Sequence, residues 1–170
     1  VWDGEAWSTA QALDSDLPYV VSTHLSFNGN EGLLVYTLDE DSNLSTMDDT
    51  EVYAIFFRNG TWGPAERLTT NEIDDSSPKA VFADNRWIIT WLQGESLAWK
   101  FSLHGEIYTQ ELPGTVSKYE LAVMDGEQPQ VALVYQQMGD KGTQNLSALF
   151  LDIQNNIFSN PIPLTNGEAF

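Results

Sequence analysis

The chain has no cysteine, and it carries only 7 lysines and arginines against 25 aspartates and glutamates. Without cysteine it can form no disulfide, present no thiolate nucleophile and build no Cys-ligated zinc site. The shortage of cations leaves a formal net charge of −18 over 170 residues, which argues against binding a phosphate backbone, so no nucleic acid is expected as a partner. No apolar run reaches about 18 residues, so no segment reads as a membrane-spanning helix and no membrane insertion is expected. Histidine is equally scarce. His24 and His104 are the only two; they form no His-x-x-x-His pair, and neither a Gly-x-Ser-x-Gly elbow nor a phosphate-cradling glycine pattern occurs. On these absences the residues carry no catalytic signature, and the chain is expected not to be an enzyme.

What is present is enough apolar material for a packed core: 42% hydrophobic residues, 12% aromatic, with six tryptophans. The apolar residues fall in short runs, Leu33–Tyr36, Val52–Phe57, Trp87–Trp91, Leu97–Phe101, Val131–Tyr135 and Leu146–Leu151. These runs are rich in β-branched and aromatic side chains and too short for helices, so they read as strands. Turn-forming pairs such as Asn59-Gly60 and Asp125-Gly126, and Asn85 before Arg86, punctuate them. Residues 5–13 hold three alanines and are the one stretch of helical composition, although the reading does not assign a helix there.

The pattern repeats. Each group has a second strand closing on an aromatic (Tyr36, Trp91, Tyr135), followed by an aromatic–turn–leucine segment such as Trp62-Gly63-Pro64 with Leu68-Thr69. An acidic, proline-bearing approach then opens the next group, as in Asp74-Asp75-Ser76-Ser77-Pro78. A four-stranded unit recurring at about 50 residues is the signature of a β-propeller blade. The expected fold is therefore all-β, with blades of four antiparallel strands. Residues 1–13 supply the outer strand of a preceding blade, and blade units span about 14–68, 69–112 and 113–164. Three blades do not close a ring, so further blades of the same chain or self-association are expected to cover the outermost faces.

The segments Tyr36–Tyr53, Asn59–Thr69 and Asp74–Pro78 resemble the propeller-type repeats of large secreted or surface bacterial proteins, where Calx-β or cadherin-like modules often accompany them. The turn-and-tryptophan unit Trp2–Ser8 is similar, and both are distantly similar to the Asp-box hairpin of sialidase-like propellers. The resemblance implies an exported, extracellular or cell-surface protein. It also implies a non-catalytic binding, adhesion or scaffold module that takes a protein or glycan at its blade ends. Two alternatives stay open: a fragment of a sialidase-like, glycoside-acting enzyme, and a purely structural repeat of a surface filament. Sialidases grip their anionic substrates with an arginine cluster, whereas Arg58, Arg67 and Arg86 are set apart here.

Three sets of residues carry the candidate chemistry. Asp39, Asp41, Asn43, Ser45, Asp48 and Asp49 form the densest oxygen-bearing stretch. Side chains at alternating loop positions can converge on one Ca2+, although Leu44 stands where an EF-hand has glycine and Thr50 where it has glutamate. The same acids would equally serve as a solvated hairpin tip. Asp14, Asp16, Asp74, Asp75 and Asp84 lie in connections, where paired carboxylates can act as the acid and base of a glycosidase or, more commonly, cap turns. Trp62, Trp7 and Trp2 lie near hairpin turns, where exposed rings stack on sugars. Trp87, Trp91 and Trp99 sit inside apolar strands and read as core.

Overall fold

The computed structural model describes residues 4–10, 12–13, 17–46, 48–124, 126, 129–138 and 143–165, and among them there is no helix. Three antiparallel sheets follow one another along the chain. The first comprises β1 (Tyr19–Asn28), β2 (Glu31–Asp39), β3 (Thr50–Arg58) and β4 (Thr61–Arg67), hydrogen-bonded in that order. The second has the same simple order in β5 (Asp75–Ala83), β6 (Arg86–Gln93), β7 (Ser96–Phe101) and β8 (Ile107–Glu111). The third runs β9 (Val116–Met124), β10 (Gln130–Met138) and β11 (Gln144–Asp152), and its outer edge is shared by two short strands, β12 (Ile157–Phe158) and β13 (Ile162–Pro163).

Local sequence explains the tight turns. Asn59 and Gly60 both adopt left-handed backbone (φ 53° and 79°), as do Asp84 and Asn85 (φ 50° and 58°). Two successive left-handed residues make the hairpin turn whose twist matches its strands, and Asn, Asp and Gly reach that region at least cost.

The sheets stack face to face. Leu33, Val35, Val52 and Ala54 of the first sheet pack on Ala80, Trp87, Ile89, Trp91 and Ala98 of the second. On its other face the second sheet presents Ile88, Leu92, Leu97 and Trp99 to Tyr119, Val131, Leu133, Tyr135, Leu149 and Leu151 of the third. Trp87, Trp91 and Trp99 are all buried, and Trp99 meets Phe158 edge-on with ring centroids 5.0 Å apart. The far face of the first sheet gathers Tyr36, Leu38 and Ile55 with Leu17, Tyr53 and Trp62.

The opening strands β1, β5 and β9 touch along a common edge. Polar bonds tie them there: the Ala80 amide donates to His24 Nδ1 at 3.2 Å, and Lys79 Nζ pairs with Glu120 at 2.9 Å. The Tyr119 hydroxyl donates to the Ser77 carbonyl at 2.7 Å and lies 3.0 Å from Thr90 Oγ1. Among the described residues of 5–13, Trp7 forms an isolated bridge and none is helical.

Candidate functional site

One end of the stack collects the β2–β3 loop and the β4–β5 connection. Between them lies a cleft of about 540 Å³ lined by Glu40, Asp41, Asp48, Asp49, Glu51 and Arg67, with Thr46, Asn71 and Glu72. Two arrangements share it.

The first is an ionic network. Arg67, at the end of β4, donates to Glu51 Oε1 at 2.8 Å, pairs with Glu40 at 3.0 Å, and donates from Nε to the Thr69 carbonyl at 2.8 Å. The Tyr53 hydroxyl donates to the same Glu40 oxygen at 2.6 Å. Burial, reinforced by Glu40, pushes the Tyr53 pKa up to about 12, so the phenol stays a donor. Arg67 is lowered by desolvation but raised more strongly by its bonds and charges from Glu51 and Glu40, and remains fully charged. Glu51 is 2% exposed, and its second oxygen, Oε2, is buried without a hydrogen-bond partner. Sequence reading missed this network. Its one local signal was an acid, Glu51, placed near the start of an apolar strand, which calls for a partner without saying which cation supplies it.

The second arrangement is the acidic loop. Carboxylate oxygens of Asp39, Asp41 and Asp49 all lie within 4.8 Å of one another. The loop holds them through its own amides: Asn43 N–H donates to Asp41 Oδ1 at 2.7 Å and to Asp39 Oδ1 at 3.1 Å, and Asp41 N–H donates to Asp49 Oδ2 at 3.1 Å. For Asp41 the Asn43 amide pulls the pKa down, but desolvation and the like charges of Asp49 and Asp39 outweigh it, and the net direction is upward. Asn43 Oδ1 accepts the Ser45 N–H at 3.4 Å, placing both side chains in the same turn, while Asp48 lines the cleft outside the three-carboxylate group.

The carboxylates of the connections separate. Asp75 is fully buried and satisfied by Trp91 Nε1 (2.9 Å), Gln93 Nε2 (3.1 Å) and Asn71 Nδ2 (2.8 Å), so it holds the second sheet together. Its neighbour Asp74 is half-buried, with Oδ1 sealed and unpartnered; burial first, then the charge of Asp75, raises its pKa. Asp84 sits in the β5–β6 turn at the opposite end of the sheet, paired with Arg86 at 3.0 Å. Asp14 and Asp16 lie outside the described residues.

Of the tryptophans near turns, Trp62 is half-buried against Phe57, the ring centroids 5.1 Å apart, and packs on the far face of the first sheet. Trp7 is 77% exposed, and Trp2 lies outside the described residues. His24 spends Nδ1 on the Ala80 amide, and exposed His104 faces Glu66 at 3.7 Å. No helix among the described residues is long and apolar enough to cross a membrane, which leaves strand-built spans unaddressed.

The sequence matches no known family profile and no curated protein. The fold is similar to the solved catalytic domain of a GH62 α-L-arabinofuranosidase from Coprinopsis cinerea, with a TM-score of 0.51 and 12% identity, over 90% of this chain and 53% of that one. That domain is a β-propeller, and the three stacked sheets are an all-β, partial-propeller architecture. The chain spans about half the length of that domain. The expectation of a non-enzymatic chain is corrected by this finding, since the fold it shares is that of a glycoside hydrolase catalytic domain. The earlier inference rested on missing nucleophile and metal motifs. Glycoside hydrolysis needs only two carboxylates placed by the fold, and such a pair leaves no local signature in sequence.

Proposed function

We propose that the chain is part of a glycoside-acting propeller, with Asp74 as a proton donor at the end of the stack where β5 begins. The observation that carries this reading is the likeness of 90% of the chain to a catalytic domain acting on an arabinofuranoside. Asp74 supports it chemically. A carboxyl whose pKa is raised by burial and a neighbouring charge retains its proton closer to neutrality, as a general acid must. Asp75, fully buried and locked by three donors, does not itself reach a substrate.

The test is turnover of a panel of fluorogenic glycosides, α-L-arabinofuranosides included, by the full-length protein. Turnover that falls about 10²-fold or more in Asp74→Asn, with loss of the alkaline limb of the pH profile, is the expected result. No turnover of any glycoside, or turnover indifferent to Asp74→Asn, overturns it.

A further inference from the structure

We propose that the β2–β3 loop binds one divalent cation of the calcium type through Asp39, Asp41 and Asp49. Each of these carboxylates gives one oxygen to a loop amide: Oδ1 of Asp39 and of Asp41 to Asn43, and Oδ2 of Asp49 to Asp41. The loop amides thus hold the three side chains together. The group converges within 4.8 Å and combines one buried, one half-buried and one exposed carboxylate. Three like charges so close repel unless something positive joins them. Arg67, the cation that lines the cleft, is already engaged by Glu40 and Glu51.

An independent observation points to a ligand here. Asp49 Oδ1 is sealed from solvent with no hydrogen-bond partner, and Glu51, itself 2% exposed, leaves Oε2 in the same condition in the same cleft. A buried anionic oxygen without a donor is costly in a folded protein, and a cation held by the converging group, of which Asp49 is a member, relieves that cost. The donor set is all oxygen, carried on a loop, which suits the large, adaptable shell of Ca2+ better than the rigid octahedron of Mg2+. Asn43 and Ser45 in the same turn, with water, complete such a shell.

The experiment is calorimetric titration of the full chain with CaCl2 after chelator treatment, at about 0.15 M monovalent salt to suppress diffuse attraction to the acidic surface. One equivalent should bind with a Kd on the order of 10⁻⁴ M or tighter. Asp49→Asn and, for a side chain that is exposed and not needed for packing, Asp41→Asn should each weaken it at least about tenfold. Glu106→Gln, an exposed acid on another sheet, should leave it unchanged, and Mg2+ should bind at least about tenfold more weakly. Absence of saturable heat, several weak equivalents, or binding that survives both aspartate substitutions overturns the site, and equal affinity for Mg2+ overturns the choice of ion. The readout is binding heat, so it succeeds or fails independently of glycoside turnover.

Discussion

The second and third sheets are built from the same four-strand plan, yet their central strands are buried in different ways. Along β6 six successive residues, Trp87 to Leu92, are buried, because Trp87, Ile89 and Trp91 meet the first sheet while Ile88, Thr90 and Leu92 meet the third. Along β10 burial alternates: Val131, Leu133 and Tyr135 are buried against the second sheet, whereas Val134 on the opposite face is 37% exposed. Leu146 and Met124, on that same outer face, are exposed too. The two strands have similar apolar content, so the difference comes from neighbours. A sheet with a blade on each side buries both faces, and one with a single neighbour buries every second residue.

The comparison can be broken most forcefully in the middle sheet. Trp91→Ala should destabilise the chain by about 3–5 kcal/mol, through the cavity it opens and the loss of an indole N–H from the fully buried Asp75. Val134→Ala, at the equivalent strand of the third sheet, should cost under about 1 kcal/mol. Urea denaturation of the two variants checks this. Equal losses would mean that the outer face of the third sheet is covered in solution, by another copy or by further chain.

The same contrast explains what the sequence could and could not reveal. Blade-like repetition, the left-handed turns at Asn59-Gly60 and before Arg86, and the core role of Trp87, Trp91 and Trp99 depend on local pattern, and local pattern is written in the chain. An unbroken run such as Leu133-Val134-Tyr135 suits a strand covered on both sides, but a run of apolar residues does not say whether a second neighbour is present. Long-range pairings were invisible for a related reason. Nothing near Asp75 announces that Trp91 will spend its N–H there, and nothing near Glu51 names Arg67, sixteen residues on. In the acidic loop, the spacing of Asp39, Asp41 and Asn43 was readable. The return of Asp49 to Asp39 and Asp41 depends on how the loop folds back, which no short ligand motif encodes.

A smaller effect sharpens how the middle sheet is joined to the third. The Tyr119 hydroxyl is the buried polar link between them, reaching the Ser77 carbonyl and Thr90, and its burial raises its pKa so far that it remains a neutral phenol at any working pH. Tyr119→Phe keeps the ring and removes the link, and should cost about 1–2 kcal/mol, seen as a lower urea midpoint at unchanged slope. A neutral substitution would show that apolar contact and the Lys79–Glu120 ion pair hold β9 to the second sheet without this link.

The gentlest probe concerns the seam between the first and second sheets, where His24 accepts the Ala80 amide. Burial, and then the charge of Lys79, lower the His24 pKa below 6.5, with Glu120 opposing them. The unfolded chain therefore binds this proton more readily than the folded one, and stability must rise with pH across the interval between the two values. The contribution is complete above about pH 6.5 and drains away as the pH falls below it, because a protonated Nδ1 can no longer accept from Ala80. Glu120, whose pKa is lowered chiefly by its bond to Lys79, loses its own contribution only below about 4.5, outside that window. Thermal melts between pH 8 and 5.5 should therefore show a falling Tm in the parent chain and a flatter profile in His24→Gln, whose amide oxygen can still accept but does not titrate. Parallel slopes in the two proteins would assign the acid sensitivity to another group.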